Sequence, residues 1–199
     1  MTARLAHSGQ PQRNEVPAVS LRLLQPPRLQ LAPQPEGLFQ IHTAPHRGSF
    51  STVLSQALRS AGLGSRVLVC QLLKGGVDQG VMGSQLLCGR LQWLRPATQH
   101  CLEACAEELV ASSPDHGAIG DAVREVWMYS RDQLLKERVD QLVLDELGLA
   151  IELGYLPLEE VLDTLEQRPP HLDVIVTGPA IPPALMAMAD QVTELRRVI

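Results

Sequence analysis

The sequence predicts an α/β domain, a mainly parallel sheet with helices on both faces. Three observations carry that expectation. Residues 38–59, LFQIHTAPHRGSFSTVLSQALR, read as a strand, a tight loop and a helix. Arg66–Leu72 (RVLVCQL) and Leu172–Thr177 (LDVIVT) are apolar runs of the kind found in strands covered on both faces. Between them Gln141–Leu144 forms a short strand that ends in Asp145-Glu146, and helical stretches separate the strands throughout.

The elements follow in order. Residues 1–36 hold Pro11, Pro17, Pro26, Pro27, Pro33 and Pro35 among scattered Gln, Arg and Ser, the composition of a disordered leader. The folded domain is therefore expected over 37–199. Leu38–Thr43 is the first strand. Phe50–Ala61 is a helix closed by Gly62 and Gly64. After the Arg66–Leu72 strand comes a glycine-rich loop, Gly75–Gly83, and then a strand over Arg90–Leu94. Helices are expected over Thr98–Ser112 and Ile119–Arg138, divided by the breaker Pro114-Asp115-His116-Gly117. Pro157–Gln167 is a helix with Glu159 and Glu160 in its first turn, where they suit the helix dipole. Leu172–Thr177 and Gln191–Leu195 complete the sheet.

Composition bounds the function. A chain of 199 residues with 45% hydrophobic content suits one domain with a sizeable core. The net charge of −5 implies no basic surface for nucleic acid or anionic membrane. No apolar run reaches the roughly 20 residues that span a bilayer. The N-terminal residues lack the basic-then-apolar layout of a secretory signal. Cys70, Cys88, Cys101 and Cys105 show no scaffold spacing, so reduced thiols in a cytoplasm are expected.

The loop between the first strand and the first helix is the first chemical candidate. A phosphate loop needs several glycines, a lysine for the terminal phosphates and a hydroxyl for Mg²⁺. Here Thr43 is followed by Ala44-Pro45-His46-Arg47-Gly48-Ser49-Phe50-Ser51. Ser49 and Phe50 stand where lysine and hydroxyl are expected, and Ser51 comes one residue late. Two outcomes fit these residues, a structural turn and a weakened anion site in which His46 and Arg47 supply charge. The second candidate is Asp145-Glu146, since an apolar strand ending in carboxylates can hold Mg²⁺ beside a phosphate loop. Thr177-Gly178 ends a strand at the sheet edge where ligands of such folds bind, although Gly178 followed by Pro179 also reads as a plain turn. His100, Cys101, Cys105 and His116 invite a metal site, but their helical face is an ordinary apolar stripe that suits buried free cysteine.

The last 60 residues carry a family resemblance. The strand ending in Asp145-Glu146, the Tyr155–Glu160 helix start, the Arg168-Pro169 turn, Thr177-Gly178 and the Ala189–Leu195 finish stand in the order found in bacterial corrinoid adenosyltransferases of the BtuR/CobO type. Upstream, Gln71-Leu72-Leu73-Lys74-Gly75 is similar to that family's strand ending, and Arg59 falls where it keeps an arginine. The resemblance spans residues 38–198. It implies a P-loop NTPase-like fold and transfer of the 5′-deoxyadenosyl group of ATP to a Co(I) corrinoid, with release of triphosphate. By the same resemblance Glu146 is a Mg²⁺ ligand, Asp145 its support and Arg59 a phosphate or ribose contact. Thr43, Arg47, Gly48, Ser49 and Ser51 line the nucleotide loop, and a homodimer is implied.

The departures fall in that loop. The family's Gly-Asn-Gly-Lys-Gly-Lys-Thr-Thr is replaced, a proline follows Thr-Gly where the family has a basic residue, and neither Trp93 nor Trp127 matches its Phe-x-Trp segment. Two functions follow. One is a catalytically silent relative that binds a corrinoid, a nucleotide or a partner. The other is an active ATP:cob(I)alamin adenosyltransferase with an unusual loop, Arg47 replacing the lysine.

Overall fold

The computed structural model describes residues 36–48, 50–75, 77–98 and 115–196. All but Glu36 of the expected leader, all but Thr98 of the helix expected over 98–112, and Ser49, His100, Cys101 and Cys105 lie outside the described residues.

The elements are β1 (Phe39–Thr43), α1 (Ser51–Gly62), β2 (Val67–Gln71), β3 (Val77–Asp78), β4 (Gln85–Leu87), β5 (Leu91–Leu94) and β6 (Ala97–Thr98). They continue with α2 (Asp115–Leu135), β7 (Gln141–Asp145), α3 (Leu147–Glu152), α4 (Leu158–Glu166), β8 (Asp173–Thr177), α5 (Pro183–Met188) and β9 (Gln191–Glu194). A seven-stranded sheet runs in the order β4-β5-β2-β7-β8-β1-β9. Its pairs are parallel except β4 with β5, the hairpin partners at one edge. β3 and β6 form a separate antiparallel pair. The expected α/β architecture is therefore the observed one.

Both faces are covered, because the strand residues alternate between two apolar layers. Val67, Val69, Val143 and Ile175 face α1, which buries Val53, Ala57 and Ala61 at a spacing of four residues. The alanines let that helix lie close to the sheet. On the opposite face Ile41, Leu68, Leu142, Leu144, Val174 and Val176 pack with Val126, Trp127 and Leu134 of α2, Leu147 of α3, Val161 and Leu165 of α4, and Leu185 of α5.

Helix ends explain the largest boundary differences. At α1, Gly64 takes φ 111°, and Ser65 and Gly64 donate backward to Ser60 and Ala61. The sequence marks that stop with glycine. At α2 the same turn is made by Glu137 at φ 54°, with Arg138 donating to Gln133 and Glu137 to Leu134. The helix therefore ends at Leu135 rather than Arg138. Its start is a correction too, since Asp115 through Gly117 lie inside α2 instead of forming the breaker. The Gly75–Gly83 stretch contains β3 rather than being loop throughout.

The parallel registers set the functional edge. Gln71 of β2 stands opposite Asp145 of β7, Asp145 opposite Thr177 of β8, and Thr177 opposite His42 of β1. The carboxyl ends of the central strands thus form one row.

Leu144 lies at the centre of this sheet with no exposed surface. Leu144→Ala is expected to lower unfolding free energy by about 2–5 kcal/mol, read from urea midpoints at unchanged slope.

Candidate functional site

The row of strand ends carries a polar network in an otherwise apolar layer. Asp145 accepts from the Thr177 hydroxyl through Oδ1 (2.7 Å) and from the Gln71 amide through Oδ2 (2.9 Å). The Lys74 ammonium adds a third donor at 3.1 Å from Oδ2. Gln71 is held in turn, because its Oε1 accepts from the Trp93 indole (2.9 Å) and from Arg95 Nε (2.8 Å). Only one orientation of that amide satisfies all its partners, so its NH₂ faces the carboxylate. Asp145 is buried, and each of its oxygens has a donor.

Glu146 is placed by backbone geometry. It takes φ 65°, the left-handed region, and its N–H donates 2.7 Å to the Thr177 carbonyl. That turn leads directly into α3, whose Ala150 N–H returns to the Glu146 carbonyl. Gly178 makes the approach possible. It has φ 122°, and a Cβ there would stand 2.9 Å from the Glu146 Cα. The close backbone approach at Gly178 is a feature that neither sequence reading of that residue included. Gly148 is equally confined, since its Cβ would come 2.7 Å from the carbonyls of Pro179 and Ala180.

The Glu146 carboxylate, 6% exposed, is gripped by Arg47. Arg47 Nε donates to Oε1 at 2.8 Å and Nη2 to Oε2 at 2.7 Å, a bidentate pair between residues 99 apart in sequence. Nη2 also donates to the Leu73 carbonyl at 3.4 Å. Arg47 and Glu146 are thus brought together, and Asp145 lies beside them on the same strand end.

The rest of the loop is apolar in its decisive place. Phe50 caps α1, with its carbonyl accepting from Val53 and Leu54, and its ring is buried with Ala44 and Val53. Ser51 opens α1 and shares with Phe50, Val53, Leu54, Lys74, Asp145 and Thr177 the lining of a cavity of about 70 Å³. Thr43 ends β1, and Gly48 is exposed near the His46 ring. Arg59 lies in the last turn of α1, about 12 Å along the axis from Ser51 at 1.5 Å per residue. It is not gathered with the loop residues.

A divalent cation does not fit the described residues. Mg²⁺ demands octahedral oxygen ligands at about 2.0–2.1 Å, whereas both Glu146 oxygens hold the guanidinium and both Asp145 oxygens hold protein donors. Phe50 supplies no hydroxyl. Among the described residues no group of three or more His, Cys, Asp or Glu side chains gathers to hold a metal.

Sequence reasoning missed Lys74, Gln71 and Trp93 as members of the site. Lys74 stands three residues after β2 in QLLKG, and that charge beside a buried run was the available signal. Trp127 is buried under α4, donating to Glu160. Cys70 is a buried free thiol whose pKa burial pushes well up, so it is inert, and Cys88 is exposed.

A parallel sheet whose first strand runs through a tight loop into a helix, with two carboxylates ending a neighbouring central strand, defines a P-loop NTPase-like α/β protein. The family model for ATP:corrinoid adenosyltransferase BtuR/CobO/CobP matches residues 35–199, and the chain belongs to that family. It is 30% identical over 173 residues to the corrinoid adenosyltransferase of Escherichia coli, covering 86% of this chain and 82% of that one. It is 31% identical, at the same coverage, to the corrinoid adenosyltransferase CobA of Salmonella typhimurium. The corrinoid adenosyltransferase of Pseudomonas aeruginosa is 27% identical over 162 residues, 81% of this chain and 76% of that one. No described helix is long and apolar enough to cross a membrane.

Gly178→Ala is expected to cost about 1–3 kcal/mol from the positive φ, and to displace Glu146 as well. Thermal unfolding of the variant checks the first effect. His42, in the same row, gives a pH signature. Burial lowers its pKa below the ordinary 6.5, and its Nε2 is buried without a hydrogen-bond partner among the described residues. The unfolded chain then takes up the proton first. Stability is expected to be level above about pH 7 and to decline as pH falls through 6.5, and His42→Gln flattens that decline in urea titrations between pH 7 and 5.

Proposed function

We propose that the chain is a corrinoid adenosyltransferase-like protein in which the family reaction is impaired or silent and a ligand- or partner-binding role is kept. In the family reaction Co(I) attacks the ribose C5′ of ATP. The C5′–O bond breaks, a Co–C bond forms, and triphosphate leaves with the electron pair. The barrier falls when preorganised donors meet the charge growing on that leaving group.

The observation that carries the proposal is the bidentate Arg47–Glu146 pair. It commits the loop's arginine to a carboxylate, as Lys74 is committed to Asp145. Their four charges sum to zero. Pro45 has no N–H to offer, and Phe50 lies in the core where a hydroxyl is required. Loss of one preorganised donor costs about 3–4 kcal/mol of transition-state stabilisation, or about 10²–10³ in rate. A second reading, an active enzyme with an unusual loop, is favoured by one observation. Lys74 lies on the wall of the cavity at the α1 N-terminus, where a helix dipole also attracts anions. On either reading the protein acts in the cytoplasm, and a homodimer is proposed by family likeness.

Mixing the protein with ATP, Mg²⁺ and chemically reduced cobalamin, and following the absorbance of the adenosylated product, tests the proposal. Turnover at least about 100-fold below that of a relative with an intact loop is expected. A rate near the relative's would contradict it. Calorimetric titration with corrinoid and with ATP then shows which binding role is kept. The Ser49→Lys, Phe50→Thr double variant is expected not to gain tight ATP binding, because Pro45 and the absent glycines remain. Its unfolding free energy is expected to fall by about 3–5 kcal/mol from the emptied Phe50 site.

A further inference from the structure

We propose that Arg47 is a built-in counter-cation that replaces the divalent metal of the strand end, so that this site excludes Mg²⁺ and like ions. The inference rests on taking the ends of β7 and β8 as the nucleotide edge of the fold. It goes further in naming what neutralises that edge.

Charge and geometry carry it. Asp145 and Glu146 bring two negative charges to one strand end, and both side chains are almost fully buried. Buried carboxylates need compensation by paired cations or a metal. Here Lys74 and Arg47 supply one positive charge each, the amount a single divalent ion would bring. Arg47 does so with two short parallel hydrogen bonds, at 2.8 and 2.7 Å, that occupy one lone-pair direction on each Glu146 oxygen. A cation approaching these oxygens meets the guanidinium charge at the same distance. It would also have to detach Arg47 from the Leu73 carbonyl.

The remaining contacts fix the pair rather than leave it adaptable. Glu146 is held by its left-handed turn against Gly178 and by its N–H bond to Thr177. Asp145 is held by Gln71, Thr177 and Lys74, and Gln71 by Trp93 and Arg95. The carboxylates therefore stay where a metal would require them, while the place of the metal is taken by a side chain. Removal of the Arg47 charge leaves the buried Glu146 side chain without its cation and open to a divalent ion.

Mn²⁺ is the probe, since its free form has a strong electron paramagnetic resonance signal that binding suppresses. With equal amounts of protein and Mn²⁺, the full chain is expected to leave that signal unchanged. Arg47→Ala is expected to suppress it stoichiometrically, and adding Glu146→Gln to that variant restores it. Arg47→Gln, which keeps a donor but no charge, gives the same uptake should the alanine variant not fold. Stoichiometric uptake by the unaltered chain that Glu146→Gln abolishes would overturn the inference. So would folded Arg47 variants that take up no Mn²⁺. The readout needs neither ATP nor corrinoid, so these outcomes stand apart from the turnover that tests the proposed function.

Discussion

The carboxylate of Asp145 is the constraint on which the site depends. It sits at the end of a central strand with apolar layers above and below, where an ionised group without partners would cost several kcal/mol. Three side chains from two neighbouring strands and the following loop satisfy it: Gln71, Lys74 and Thr177. The register of the parallel sheet puts Gln71 and Thr177 directly beside Asp145, and the loop after β2 brings Lys74. The next residue inherits its position from this arrangement. Glu146 turns left-handed, bonds Thr177 through its N–H, and swings its carboxylate towards the β1–α1 loop, where Arg47 meets it.

The sheet and the loop make separable demands. The strands are held by two apolar layers and by α1, whose buried Val53, Ala57 and Ala61 pack against the sheet without supplying a polar group. A loop can therefore lose its glycines, lysine and hydroxyl without loss of the fold. Phe50 is itself part of the apolar layer under α1. Family membership and the composition of the loop are thus compatible.

Much of the fold was legible because its central strands are apolar runs and α1 carries a clear stop. β2, β7 and β8 announce themselves in VLVCQ, QLVLD and DVIVT, and Gly64 marks the end of α1. The short pieces were not legible. α3 and α5 span six residues each, too few for a helical period to emerge, and β3 and β6 span two. The end of α2 was missed because Glu137, not glycine, takes the left-handed position. In the site, Asp145, Glu146 and Arg47 stood out as charges in telling places. Their pairing did not, because Arg47 and Glu146 meet only through the placement of β1 and β7 on either side of β8. Lys74 and Gln71 stayed hidden for the same reason, as register is a tertiary property that composition does not carry.

A double-mutant cycle on Arg47 and Glu146 tests the central claim most directly. Unfolding free energies of the unaltered chain, Arg47→Ala, Glu146→Gln and the double variant isolate the coupling between the two side chains. A bidentate, largely buried pair predicts a favourable coupling of about 1–3 kcal/mol that shrinks little between low and moderate salt. Coupling near zero, with the two single losses simply adding, would contradict a strand end neutralised by its own arginine.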